Sequence, residues 1–84
     1  AQWCGPCKML APIMEQLSIE YASHNIDFAK VDIDLNPDIA KALGIASIPT
    51  VIIYHNGKIH SHFVGFRSKP EIKNMIDEAI KQEI

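Results

Sequence analysis

A segment near the middle of the chain places tight limits on the fold. The sequence PTVIIYHNGKIHSHFVG, residues 49–65, has two runs rich in apolar and β-branched residues on either side of Asn56-Gly57. Asn-Gly is the pair that best tolerates positive φ at both central positions of a two-residue hairpin turn. The segment therefore predicts two antiparallel strands joined by a tight turn at Asn56 and Gly57.

The beginning of the chain has the periodicity of an amphipathic helix. From Pro6 to about Tyr21, apolar residues recur at helical spacing, and polar residues occupy the rest of the cylinder. Pro12 lies inside this segment, where its missing amide predicts a kink. Because the apolar spacing continues through Pro12, we predict one helix rather than a helix that begins after it. The apolar positions are Leu10, Ile13, Met14, Leu17 and Tyr21.

Two further helices are indicated by capping residues. NPDIAKALG, residues 36–44, predicts a short helix with Asn36 as its cap, Pro37 in its first turn and Gly44 at its end. Ser68 and Glu71 match a capping box at the start of a terminal helix. The apolar stripe of that helix consists of Ile72, Met75, Ile76, Ala79 and Ile80.

IDFAKVDID, residues 26–34, alternates around the apolar Phe28 and Val31 and predicts a strand of a largely buried sheet. The predicted order of elements is α, β, α, β, β, α, without repeats or linkers. This order predicts an α/β fold, and 84 residues predict a single domain over 1–84.

Composition excludes several classes of partner. The chain is 48% hydrophobic and 21% charged, as in an ordinary soluble domain. Its formal net charge is −2 with scattered Lys and Arg, so we expect no binding to nucleic acid or to an anionic membrane. The longest apolar runs, such as IPTVIIY, are too short to span a bilayer.

The clearest chemical feature is the sequence Cys4-Gly5-Pro6-Cys7 at the predicted start of the first helix. Unpaired amides and the helix dipole at a helix start stabilise a thiolate, which makes Cys4 a nucleophile. Cys7 follows after nearly one helical turn, at a separation compatible with a disulfide, and can resolve a mixed disulfide. Gly5 and Pro6 supply no cation that would favour the reduced form, so we predict a reducing dithiol.

The cysteine pair has three other interpretations. A structural staple is the poorest of them, because so short a loop constrains the unfolded chain very little. A zinc module would combine Cys4 and Cys7 with two histidines, although these lie far downstream without a second regularly spaced ligand pair. A non-catalytic interaction module would keep the fold and use its groove only for binding. The candidate zinc-binding histidines are His24, His55, His60 and His62, of which His60 and His62 share one face of a hairpin strand.

The segments WCGPCKMLAPIMEQL, KVDID, LGIASIPTVIIYHNGK and VGF together resemble the thioredoxin family in order and spacing. The resemblance implies a thioredoxin fold, a mixed β-sheet flanked by helices, and the reduction of protein disulfides. It implies no bound cofactor and no metal. Electrons would come from NADPH through a separate flavoprotein, thioredoxin reductase, and the partners would be disulfide-containing proteins. A monomeric full-length protein in the cytoplasm, with organelles as the alternative, is the corresponding expectation.

The resemblance also implies roles for individual residues. Cys4 and Cys7 match the attacking and resolving thiols, which form the redox-active disulfide. The residues implied to bind substrate are Trp3, Gly5, Pro6, Ile48, Pro49 and Gly65. Among them Pro49 matches the family's cis proline, which would leave the backbone of Ile48 free to pair with an extended substrate. Lys30 matches a lysine near the buried side of the site that would tune the cysteine pKa values, or it is a strand charge that reaches solvent.

The chain departs from the family at its beginning. Thioredoxins place a strand, a helix and a central strand with a buried aspartate before the matching tryptophan, and no such segment precedes Trp3 here. In the family's sheet, that strand lies between the strands matching FAKVD and TVIIY, so its absence leaves a gap of about 9.6 Å. We therefore expect a partial, N-terminally incomplete sequence, and an isolated 84-residue peptide that is poorly folded or pairs with a second copy.

Overall fold

The computed structural model describes residues 1–81, and it has three helices and two strands within them. In chain order these are helix α1 (Gly5–Glu20), helix α2 (Pro37–Ala42), strand β1 (Thr50–His55), strand β2 (Lys58–Val64) and helix α3 (Lys69–Lys81). None of the helices within residues 1–81 combines the length and the apolar character that a membrane crossing requires.

Helix α1 confirms the first predicted helix. Cys4 is its N-cap residue, a proline occupies the first turn, and Tyr21 is its C-cap. The helix runs without interruption through Pro12, so the alternative of a start after that proline is wrong. Leu10 and Leu17, seven residues apart on one face, are both buried.

Strands β1 and β2 form the predicted hairpin. Asn56 and Gly57 have φ values of 53° and 76°, the positive values that this turn requires. The strands pair antiparallel from Thr50 opposite Val64 to His55 opposite Lys58, with a register shift between Ile53 and Tyr54. Within residues 1–81 they constitute a two-stranded sheet.

The predicted strand over residues 26–34 is wrong. These residues form an irregular segment that ends in a turn, and no strand lies beside it in the described part of the chain. A β-strand is stabilised by backbone hydrogen bonds to a neighbouring strand, and alternation alone cannot replace that neighbour. Phe28 nevertheless packs against the core as a half-buried residue. Within residues 1–81, the predicted mixed sheet is accordingly reduced to the antiparallel pair.

Helix α2 has the predicted position, with its cap formed differently. Asn36 is the N-cap residue, yet within residues 1–81 its side chain makes no capping hydrogen bond to the helix. Its amide Nδ2 donates instead to the carbonyl of Asp32, at 3.0 Å. The helix ends at Ala42 with Leu43 as its C-cap, and Gly44, the next residue, has φ of 67°. The amide of Ile45 donates to the carbonyl of Ala40 at 3.0 Å. Such a bond is typical of a glycine-terminated helix.

Helix α3 completes the core. Its start uses the predicted cap: the amide of Glu71 donates to Ser68 Oγ at 3.4 Å, and that hydroxyl donates to Glu71 Oε1 at 3.0 Å. The core lies between α1, α3 and the hairpin. Its buried members are Leu10, Leu17, Tyr21, Phe63, Ile72 and Ile76.

Candidate active site

A disulfide joins Cys4 and Cys7 at the start of α1. Their Cα atoms are 5.2 Å apart, within the range that a disulfide bridge requires. The spacing of three residues produces this distance because the second cysteine lies in the first helical turn while the first cysteine caps it. The bridge therefore lies within the cap and the first turn of α1.

The two sulfur atoms differ in their relation to the helix. The backbone amide of Cys7 donates a hydrogen bond to Cys4 Sγ, at 3.2 Å. Amides at a helix start are otherwise unpaired, and the helix dipole there favours negative charge. A thiolate on Cys4 would therefore be stabilised by the amide that already points at its sulfur.

Burial alone would not select Cys4 as the nucleophile. In the disulfide form Cys4 is 4% exposed, whereas Cys7 is half-buried. Cys4 is favoured instead by its position at the helix cap and by the hydrogen bond that its sulfur accepts from the Cys7 amide. Gly5 and Pro6, which lie between the cysteines, are both exposed and leave the bridge bordered by small side chains.

Trp3 is held by a contact that sequence reasoning missed. Its indole Nε1 donates to Asp34 Oδ2 at 2.7 Å, although the ring remains 68% exposed. The two residues are 31 positions apart, and Asp34 lies in the segment that the sequence assigned to a strand. The sequence signal that could have indicated this contact is the acidic residue at the end of KVDID. The open cleft beside this pair is lined by Gln2, Trp3, Asp32, Asp34 and Leu35.

The loop before β1 contains the other predicted binding residues. The Ile48-Pro49 peptide bond is cis, as the resemblance implies, and Pro49 is buried. Gly65, with φ of 86°, donates its amide to the carbonyl of Pro49 at 2.8 Å. Ile48 is half-buried, and its backbone makes no hydrogen bond to other backbone groups within residues 1–81. Its amide and carbonyl are therefore available to an extended ligand.

The remaining candidates take no direct part in these contacts. Lys30 is exposed on the irregular segment, the position that its alternative interpretation predicts, and its effect on the cysteines stays a prediction. His60 Nδ1 lies 3.2 Å from Ser61 Oγ, and His62 is exposed. Among residues 1–81, no three His, Cys, Asp or Glu side chains are grouped so as to hold a metal ion. The zinc interpretation thus has no ligand set in this part of the chain.

Comparison with known proteins gives one consistent result. The sequence model of the family described as Thioredoxin matches residues 1–78. Thioredoxin of Buchnera aphidicola is 45% identical over 80 residues, and that of Chlorobaculum thiosulfatiphilum is 48% identical over 80 residues. Both alignments cover 95% of this chain and 73% of the relative.

A solved structure is similar over the same region. The crystal structure of a thioredoxin from Nicotiana alata superposes with a TM-score of 0.85 and 35% identity. The superposition covers 94% of this chain and 66% of the Nicotiana chain. The chain thus spans about three quarters of the length of the curated relatives and somewhat less of this solved structure.

Proposed function

The chain belongs to the thioredoxin family of thiol-disulfide oxidoreductases, and from that premise we propose that it reduces disulfides in other proteins through Cys4 and Cys7. The observation that carries the proposal is the disulfide at the start of α1, in which Cys4 Sγ accepts the amide of Cys7. A helix start that favours a thiolate on Cys4 provides the attacking group for disulfide exchange.

The reaction proceeds in two exchanges. The Cys4 thiolate attacks one sulfur of the target disulfide, forms a mixed disulfide and releases the other sulfur as a thiolate, which takes up a proton. Cys7, deprotonated in turn, attacks Cys4 Sγ, closes the Cys4–Cys7 bridge and releases the second substrate thiol. The target gains two electrons and two protons, and the cysteine pair loses them.

The substrate side of the proposal draws on the loop before β1. The backbone of Ile48 can pair with an extended polypeptide, as in the addition of a strand to a sheet edge. The family resemblance implies that the same surface is bordered by Pro49, Gly65 and the exposed ring of Trp3. This mode of binding uses the polypeptide backbone, so it suits substrates of varied sequence.

Regeneration requires an outside reductant. We propose a separate NADPH-dependent flavoprotein reductase as the electron donor and the cytoplasm as the site of action, both from the family resemblance. For Lys30, the same resemblance supports the proposal that its positive charge modestly affects the reactivity of the cysteine pair.

Substitution of each cysteine tests the proposal. With dithiothreitol as electron donor and insulin as the disulfide substrate, Cys4→Ser should abolish reduction because the attacking thiolate is lost. Cys7→Ser should also lose rapid turnover. When the reduced variant is freed of dithiothreitol and then mixed with insulin, it should accumulate a covalent complex through Cys4, visible on a non-reducing gel and cleaved by added dithiol. Reduction of insulin by Cys4→Ser at the unchanged rate would contradict the assignment of Cys4 as nucleophile.

A further inference from the structure

The backbone around Gly65 is contacted by one cationic side chain. Arg67 Nη1 donates to the carbonyl of Val64 at 3.4 Å and to the carbonyl of Phe66 at 3.2 Å. These two carbonyls flank Gly65, so a single guanidinium nitrogen bridges the residues on either side of it. Hydrogen bonds from a charged donor are stronger than those between neutral groups. Arg67 therefore restricts the backbone conformation of the loop at Gly65.

The guanidinium is itself held between β2 and α3. Its Cζ atom lies 5.6 Å from the centroid of the Phe63 ring, which is buried in the core. A cation over an aromatic face is attracted by the electrons of the ring. Arg67 Nε also lies 3.9 Å from Oε2 of Glu71, in the first turn of α3. Because both side chains of this ion pair are exposed, the buried ring is the firmer anchor.

One backbone hydrogen bond connects the loop at Gly65 to the proposed substrate surface. The Gly65 amide donates to the Pro49 carbonyl at 2.8 Å. Pro49 directly follows Ile48, whose backbone makes no hydrogen bond to other backbone groups within residues 1–81. The position of the Ile48 backbone is therefore tied to Gly65, and through Gly65 to the contacts of Arg67.

We propose that Arg67 is a positioning residue that sets the affinity for polypeptide disulfide substrates by holding the loop at Gly65, and with it the loop before β1, in the conformation that binds them. The inference rests on the function proposed above, with an extended substrate paired to the backbone of Ile48. A surface that is ordered before binding loses less conformational entropy when the substrate associates. The hydrogen bonds of Arg67 are to backbone carbonyls of the binding loop, so its effect belongs to substrate binding rather than to thiol exchange.

Three variants separate the hydrogen bonds from the other effects of the side chain. Arg67→Met removes the donors and the charge while keeping an apolar stem over Phe63. Arg67→Lys keeps the charge, and because one nitrogen makes both hydrogen bonds, a lysine ammonium can replace them. Lys58→Met is the matched control, since it removes an exposed cation at the other end of β2.

The first measurement compares a polypeptide substrate with a small one. With dithiothreitol as electron donor and insulin as substrate, Arg67→Met should raise KM about fivefold with kcat within about twofold, the effect of losing hydrogen bonds that favour substrate binding. Arg67→Lys and Lys58→Met should stay close to the unchanged protein. Dithiodipyridine, a small chromogenic disulfide without a polypeptide backbone, should react with the reduced dithiol at the same rate in all four proteins.

Hydrogen exchange of the Gly65 amide, followed by NMR, reports on the loop directly. In Arg67→Met this amide should exchange about fivefold faster, because loss of the Arg67 contacts weakens its hydrogen bond to Pro49. Arg67→Lys should preserve its protection. The Tyr21 amide, which donates to the Leu17 carbonyl at 2.9 Å, is the reference and should exchange at the same rate in every variant.

The outcomes distinguish this inference from the function it rests on. If the unchanged protein reduces no insulin, the proposed function is overturned. If it is active and Arg67→Met leaves either KM or the Gly65 exchange rate unaltered, or if Arg67→Lys behaves like Arg67→Met, the positioning role alone is overturned. The same holds if Arg67→Met slows the reaction with dithiodipyridine as much as that with insulin, or accelerates exchange at Tyr21 as much as at Gly65. The effect would then arise from the thiols or from general stability.

Discussion

Gly65 combines an unusual backbone conformation with a contact to the site. Its φ of 86° lies in a region that residues with a side chain rarely adopt, and its amide donates to the carbonyl of Pro49 at 2.8 Å. A Cβ built on Gly65 would approach no described atom within 4 Å. Conformation, and not lack of space, is therefore the physical reason for glycine at this position.

Gly65→Ala should lower the free energy of unfolding by about 1–2 kcal/mol, the cost of a left-handed backbone for an L-residue. Gly5→Ala is the matched control, because Gly5 is the first residue of α1 and a Cβ there also meets no described atom within 4 Å. The control should be neutral or stabilise by about 0.4–1 kcal/mol, through the unfolded chain. Urea unfolding of both variants measures this difference, and equal stability of the two would contradict it.

The sequence signals that succeed and fail differ in range. Cys4, Cys7 and the Asn56-Gly57 turn depend on neighbours within a few residues, so their local spacing is sufficient to predict them. Asp34 is different, because its side chain bonds Trp3, 31 positions earlier in the chain. Nothing in the local pattern of KVDID specifies that contact, and only the folded arrangement shows it.

Among the elements, the same distinction separates the helices from the segment 26–34. Helices α1, α2 and α3 form hydrogen bonds within themselves, so periodicity and caps predict their positions. A strand needs a partner, and within residues 1–81 the only paired strands are β1 and β2. Of the two apolar residues in the predicted strand 26–34, Phe28 packs against the core whereas Val31 is 46% exposed, and alternation could not supply the missing partner strand.

Polar contacts connect the C-terminal end of α1 to helix α3. Tyr21 Oη donates to Asp77 Oδ1, and Lys69 Nζ forms an ion pair with Glu20. The pKa of Tyr21 is raised to about 12, chiefly by burial and also by the hydrogen bond to Asp77 and the negative charge of that carboxylate. The hydrogen bond from Lys69 lowers the pKa of Glu20. Because both side chains are partly exposed to solvent, this ion pair contributes little to stability.

The raised pKa of Tyr21 predicts a loss of stability in alkali. Above pH 10 the tyrosine of the unfolded chain ionises while that of the folded protein keeps its proton up to about pH 12. The unfolded state then binds fewer protons, so the free energy of unfolding falls across this window, by on the order of 2 kcal/mol. Below pH 10 the contribution is fully present.

Tyr21→Phe tests this linkage. The variant should lose about 1 kcal/mol near neutral pH, from the hydrogen bond to Asp77, and should show a smaller decline between pH 10 and 12. Urea unfolding of the disulfide form at pH 9 and pH 11.5 measures both effects. Tyr54→Phe is the control, since Tyr54 is 50% exposed on the hairpin and its removal should leave the steep alkaline decline in place. An equally steep decline in Tyr21→Phe would contradict the assignment.

At the scale of the whole molecule, the 84 residues leave much surface exposed. The accessible surface is 6145 Å² for a mass of 9.4 kDa, against about 5,000 Å² for a compact protein of that mass. The radius of gyration is 12.9 Å, where about 11.8 Å is typical of a compact domain of this length. Of residues 37–42, all of which the structure describes, none is buried. Among residues 1–81, α2 thus contributes no buried residue to the core between α1, α3 and the hairpin.

These dimensions predict weak cooperativity for a polypeptide of the 84 residues alone. A two-stranded sheet is marginally stable in water, and exposed apolar side chains such as Leu35 and Ile59, 78% and 58% exposed, contribute little to folding. We expect a broad thermal transition by far-ultraviolet circular dichroism, or a self-associated species in sedimentation velocity. In urea, the m-value should fall below that of a compact domain of this length, because less surface is newly exposed on unfolding. A monomer with a sharp two-state transition and a full m-value would show instead that the core between α1, α3 and the hairpin is sufficient for a cooperative fold.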